Sequence, residues 1–202
     1  MGEIQLQKIK FPGLNNTYTV PDPDNFAPSG YGLGEYTKRI TNRNEIDGCG
    51  FWALSGQDSP LADYTWWGEV SSLEEKTMVF EVINVEGFKV RSIKRNYTWG
   101  EWEWVNPPMN LGVEYRTTER WNGKAVYIKA IDVGALPNNA NKPVDGVVTG
   151  GCTGIVTVWA RKVYANLSIL PSYDGTYAWL NLVSTADLSQ HTEIITLKYT
   201  KD

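Results

Sequence analysis

The chain is poor in the residues on which most hydrolases and metal proteins rely. It has 1 histidine and 2 cysteines in 202 residues. An imidazole-activated nucleophile would have to use His191, in Ser189-Gln190-His191-Thr192, which reads as a surface turn. Metal sites built from His and Cys need clusters, and the sequence contains none. Cys49 and Cys152 stand far apart beside glycines. Two reduced thiols are expected, with a single disulfide as the alternative that spacing does not decide. Basic residues are in deficit, 19 Lys+Arg against 23 Asp+Glu for a net charge of -4. Nucleic-acid binding requires the opposite balance. No apolar run is long enough to span a bilayer, so no membrane insertion is expected. No basic-then-apolar segment opens the chain; either it is not exported by that route or this sequence lacks the segment. Gly150-Gly151-Cys152-Thr153-Gly154 has no Gly-Lys-Ser/Thr and reads as a turn, not a phosphate loop. No cofactor is expected.

Aromatics with a polar handle are in excess: Trp 9 and Tyr 11 against Phe 5. Such side chains serve cores, interfaces and sugar-binding surfaces. Gly 19 and Pro 10, with many Thr and Val, favour an all-β chain of short strands and turns.

The clearest local signal runs from Glu114 to Asn138 (EYRTTERWNGKAVYIKAIDVGALPN). Asn122-Gly123 separates two runs rich in β-branched and aromatic residues, and that dipeptide suits the two positive-φ positions of a type I′ turn. The implied register pairs Trp121 with Lys124, Glu119 with Val126, Thr117 with Ile128 and Tyr115 with Ala130. One face, with Tyr115, Val126, Ile128 and Trp121, is expected to be core. The other, with Glu114, Arg116, Thr118, Arg120, Tyr127 and Lys129, is expected to be wet.

Residues 1–28 read as an N-terminal arm or connector, stiffened by Pro21, Pro23 and Pro28. Residues 29–106 read as a first small β unit. It contains a buried strand at Met78–Val85, a turn at Glu86-Gly87 and an alternating strand at Phe88–Ile93. Trp99–Trp104 alternates as well, with Glu101 and Glu103 on one face. Ser71–Lys76 is expected to form one or two helical turns, N-capped by Ser71 or Ser72. Asn106-Pro107-Pro108-Met109-Asn110 marks a boundary. Residues 107–202 then read as an antiparallel β-sandwich. Its further strands are expected at 144–148, 154–161, 164–170, 178–183 and 193–199, with a turn at Pro171–Thr176.

Two resemblances follow from these motifs. The pattern E-Y-R-T-x-E-x-W-N-G-K-x-V-Y-x-K, then D-x-G-A-L-P-N, resembles the opening of the C-terminal domain of phage and prophage tail receptor-binding proteins. Gly30-Tyr31-Gly32-Leu33-Gly34, the strand pair, Arg91, and Trp99-Gly100-Glu101-Trp102 resemble the pyocin-knob domain of tail fibres. The resemblance implies a knob-like β domain followed by a sandwich head. It also implies a homotrimer at the virion tail tip, made in the bacterial cytoplasm, that joins other tail or baseplate proteins and adheres to host cell-surface polysaccharide without catalysis.

The candidate glycan-binding residues are Tyr173, Asp174, Tyr177 and Trp179, in a late loop and the strand after it, and Trp66 and Trp67. Flat rings suit the apolar face of a pyranose, and carboxylates or backbone groups suit its hydroxyls. Trp66-Trp67 places indoles on opposite sides of an extended segment, so at least one is expected at the surface. The alternative for each ring is packing in a core or between subunits. A glycan-binding module of a bacterial surface or secreted protein is the second functional reading. A glycosidase on Glu101 and Glu103, roughly 7 Å apart at ~3.3 Å per residue, is the third.

Overall fold

The computed structural model describes residues 9–10, 17–18, 38–74 and 76–201. The arm expected over 1–28 lies outside these, except that β1 (Ile9–Lys10) pairs antiparallel with β2 (Thr17–Tyr18). The described residues are almost entirely β, without α-helix. They divide into two compact units, 38–87 with 92–101, and 88–91 with 102–201.

In the first unit, β3 (Lys38–Ile40) runs parallel to β4 (Gly50–Leu54). β5 (Trp66–Glu74) then pairs antiparallel with β4 and with β6 (Thr77–Ile83). β7 (Lys89–Arg95) turns into β8 (Thr98–Trp99). Residues 71–74 belong to β5 and residue 76 is a turn residue, not the helix expected. The Ser72 hydroxyl donates to the Thr77 carbonyl at 3.0 Å across the hairpin, so it stabilises the turn instead of capping a helix. A short 3₁₀ turn, Arg43–Glu45, is closed by a capping box from Asn42. Arg43 then organises the unit. Its guanidinium contacts Asp58 through Nε (2.9 Å) and Nη2 (2.8 Å), and its Nη1 donates to the buried Ser92 hydroxyl (2.6 Å) and the Gly100 carbonyl (2.8 Å).

The second unit is a β-sandwich. One sheet has the order β13-β16-β11-β10-β9, from β9 (Glu103–Trp104), β10 (Glu114–Trp121), β11 (Lys124–Ala135), β13 (Cys152–Ala160) and β16 (Thr192–Lys201). The other is β12-β15-β14, from β12 (Asn141–Thr149), β14 (Leu167–Tyr173) and β15 (Tyr177–Ser184). Alternate residues of both sheets meet in one core that includes Val133, Val148, Leu180, Leu182, Ile195 and Leu197. Each such side chain contributes about 1.5–3 kcal/mol by leaving water. Both edge strands of the smaller sheet carry a proline, Pro143 and Pro171, which removes an N–H donor from each edge. Both thiols are free, Cys152 buried and Cys49 exposed.

The Asn122-Gly123 turn forms as expected, with φ of 49° and 78° and Trp121 opposite Lys124. The register beyond it differs from the expectation. Tyr115 faces Ile128 and Arg116 faces Tyr127, because three residues, 117–119, oppose the single Val126. The Thr117 hydroxyl holds this bulge by donating to the Val126 carbonyl (2.8 Å) and accepting from the Glu119 N–H (3.2 Å). The shift is two residues, so parity survives and Tyr115, Val126 and Ile128 are buried as expected. Trp121, placed in the core by the simple register, is 53% exposed at the hairpin tip. The face expected to be wet is covered in part. β11 continues for 12 residues, and Tyr127, Ile131 and Val133 line the sandwich core on that side. Pro171, Ser172 and Tyr173 extend β14, so the expected turn shortens to 174–176.

Candidate functional site

The β14–β15 hairpin carries four of the expected residues. Asp174 closes its turn: Oδ1 accepts from the N–H of Thr176 (2.9 Å) and of Tyr177 (2.8 Å). The Asp174 N–H in turn donates to the Tyr177 carbonyl at 3.2 Å. Gly175 supplies the φ of 92° that the tight loop requires. The hydrogen bonds from Tyr177 and Thr176 hold the Asp174 carboxyl below its ordinary pKa. One oxygen of this carboxylate is therefore engaged in positioning Tyr177.

The strand register separates the aromatic residues. Tyr173 lies opposite Ala178, Ser172 opposite Trp179, and Thr149 opposite Tyr177. Side chains alternate between faces, so Tyr177 and Trp179 share one face while Tyr173 projects to the other, with Ala178 and Leu180. Ala178 and Leu180 are core, which makes the Tyr177–Trp179 side the outer face of the sheet. Tyr177 is 51% exposed and Trp179 half-buried. Each ring has a hydroxyl residue as its cross-strand neighbour, Thr149 beside Tyr177 and Ser172 beside Trp179. Asn181 continues the same face along β15. Rings with interleaved hydroxyl and amide groups form a flat, amphipathic surface.

In the first unit, Trp66 is fully buried and Trp67 is 41% exposed. Trp66 Nε1 donates to the Leu61 carbonyl at 3.4 Å, consistent with a core role. Trp67 pairs with Ile83 across the ladder, and Ile83 is also exposed.

Among solved structures, those similar to this chain are pyocin tail fibres. An R1 pyocin fibre of P. aeruginosa, its C-terminal residues 323–701, has a TM-score of 0.31 and 9% identity, covering 80% of this chain and 66% of that one. An N-truncated R2-type pyocin tail fibre has a TM-score of 0.30 and 10% identity, covering 80% of this chain and 95% of that one. A longer R2 fibre fragment, residues 323–691, gives a TM-score of 0.30 at 10% identity, with coverages of 80% and 65%. This chain thus spans about two thirds of the length of the two longer fragments. No protein-family model matches the chain, and no curated protein aligns with it.

Glu101 and Glu103 do not share a wet strand face. Glu101 is exposed in the segment between β8 and β9, whereas Glu103 is 4% exposed. Both oxygens of Glu103 are engaged by arginines: Oε2 by Arg91 Nε and Nη2 (both 3.2 Å), Oε1 by Arg120 Nη2 and by Arg116 Nε at 3.4 Å. The alternating Trp-Gly-Glu-Trp-Glu-Trp pattern suggested one strand; the cluster of arginines that draws Glu103 inward comes from β7 and β10 and is invisible to local periodicity. His191 is exposed, with its ring 5.5 Å from that of Tyr164. Nearby, the Glu193 carboxylate is buried. Burial first, and the Glu193 charge second, raise the Tyr164 hydroxyl pKa. Among the described residues, no group of three or more His, Cys, Asp or Glu is placed to hold a metal ion.

Proposed function

We propose that this chain is a receptor-binding subunit of a phage or pyocin-type tail fibre, adhering to host cell-surface glycan as a homotrimer and joined to other tail or baseplate proteins. The observation that carries the reading is the outer face of β12-β15-β14. Tyr177 and Trp179 lie there two residues apart on one strand, each beside a hydroxyl residue. Such a surface takes the C–H face of a sugar on its rings and the sugar's hydroxyls on its polar groups. The 114–138 motif and its resemblance to tail receptor-binding heads support the same reading.

The mechanism is reversible adhesion without bond cleavage. A shallow face of this kind supports a per-site affinity of about millimolar. Three copies on one tip strengthen attachment by roughly 10²–10⁴-fold if they engage together. Glu103 offers no second acid for a glycosidase, because three guanidiniums occupy its oxygens.

Two measurements test the proposal. Light scattering after size exclusion is expected to give three times the 22.7 kDa chain mass. An array of bacterial surface polysaccharides is expected to retain the trimer with no change in polymer length. A monomer at micromolar concentration, or depolymerisation of a bound polysaccharide, refutes it.

A further inference from the structure

Two consecutive strands, one in each sheet of the sandwich, leave regular pairing where a cleft opens. β11 shifts register against β16 between Asp132 and Gly134. β12 shifts against β15 between Val144 and Val148. Residues released from a ladder in this way re-aim their side chains. Gly146, inside the β12 shift, has φ of 65°, and no atom lies within 4 Å of where a Cβ would sit, so the backbone conformation and not space favours glycine. The cleft measures about 340 Å³, at the lower end of the ~300–1,000 Å³ typical of small-molecule sites.

Its lining is chemically divided. Leu111, Ile131 and Val147 are apolar, and Asp132, Asp145 and Lys129 are charged. The Lys129 Nζ is tied to the Val147 carbonyl at 3.1 Å. Asp132 Oδ1 accepts from the Gly134 N–H at 2.8 Å. Asp145 is exposed, and its carboxylate makes no hydrogen bond or ion pair with the described residues. Two carboxylates against one ammonium leave the cleft with an acidic balance. Carboxylates accept strong hydrogen bonds from hydroxyl groups, and they repel an acidic ligand.

We propose that this cleft binds one neutral, polyhydroxylated sugar ring, with Asp145 and Asp132 accepting from its hydroxyls and Leu111 and Ile131 against its C–H face. The proposal deepens the adhesion reading and rests on it. It adds a second contact that shares no residue with the Tyr177–Trp179 face.

The test is amide NMR on the full chain, titrated separately with the methyl glycosides of glucose, galactose and mannose, with sodium glucuronate, and with calcium chloride. At least one neutral glycoside is expected to shift the amides of Gly112, Asp145 and Gly146, and glucuronate to leave them in place. Asp145→Ala, at an exposed position in the ladder shift, is expected to keep the folded spectrum and weaken that binding about tenfold or more. Absence of cleft shifts with every neutral glycoside, equal shifts with glucuronate, or shifts with calcium chloride alone overturns the proposal. Polysaccharide retention of the same sample separates the two claims. A retained chain with a silent cleft sinks only the cleft; a chain that no polysaccharide retains sinks the adhesion reading as well.

Discussion

Arg91 and Glu103 face each other across the β7–β9 ladder, with both Nε and Nη2 of the arginine 3.2 Å from one carboxylate oxygen. Arg116 and Arg120, from β10, approach the other oxygen. A single buried carboxylate therefore joins β7, β9 and β10, and it does so within the Trp-rich stretch that the sequence presents as a solvent-facing strand.

Replacing this carboxylate is expected to be costly. Glu103→Gln keeps the volume but removes the negative charge that three guanidiniums approach. Breaking a buried pair from one side costs about 3–5 kcal/mol. The three arginines are 29%, 31% and 34% exposed, so water screens part of the loss, and about 2–3 kcal/mol is expected. Urea denaturation at equilibrium measures it. A change below about 0.5 kcal/mol would place the cluster among ordinary surface pairs.

Thr117 holds the bulge between β10 and β11. Thr117→Val keeps the branched shape and removes the hydroxyl that contacts the Val126 carbonyl and the Glu119 N–H. A loss of roughly 1–3 kcal/mol is expected, since Thr117 is buried and its partners are left unsatisfied. Thermal unfolding checks this. An unchanged Tm would mean that the bulge forms without the hydroxyl.

These two residues show how far the sequence is legible. Parity is readable, because side chains alternate with a period of two whatever the pairing partner. That is why Tyr115, Val126 and Ile128 are buried although their partners differ from those of the simple register. The bulge itself is not readable: a threonine in a strand is common, and its side-chain bond depends on β11 being in place. The same holds for Glu103 and for the Arg43–Asp58 pair, whose partners are distant in sequence. For the site, the Trp66/Trp67 division follows from alternation alone. The separation of Tyr173 from Tyr177 and Trp179 does not, because it depends on where the turn ends. The cleft arises from two ladder shifts, and no local pattern marks either.

Tyr199 provides a pH-dependent signature. It is fully buried, stacked on Tyr127 at 6.0 Å, and its hydroxyl donates to Glu114. Burial first, and the bond to Glu114 second, raise its pKa well above the ordinary value of ~10. A raised folded-state pKa contributes stability that is complete below about pH 10 and is lost as pH rises toward the folded value. Alkaline unfolding is therefore expected to begin above about pH 10. Phenolate absorbance in wild type and Tyr199→Phe is expected to coincide until unfolding begins. An extra wild-type ionisation within the folded state would contradict the burial argument.

The central claim is adhesion through the Tyr177–Trp179 face, and its most direct measurement is retention of single variants on the polysaccharide that binds the wild-type chain best. Tyr177→Ala and Trp179→Ser remove one ring each from the outer face and leave the core residues Ala178 and Leu180 in place. Loss of one stacking ring from a weak trivalent contact is expected to lower retention by about tenfold or more, with the oligomeric state unchanged. Wild-type retention in both variants, with folding and assembly intact, would contradict the account.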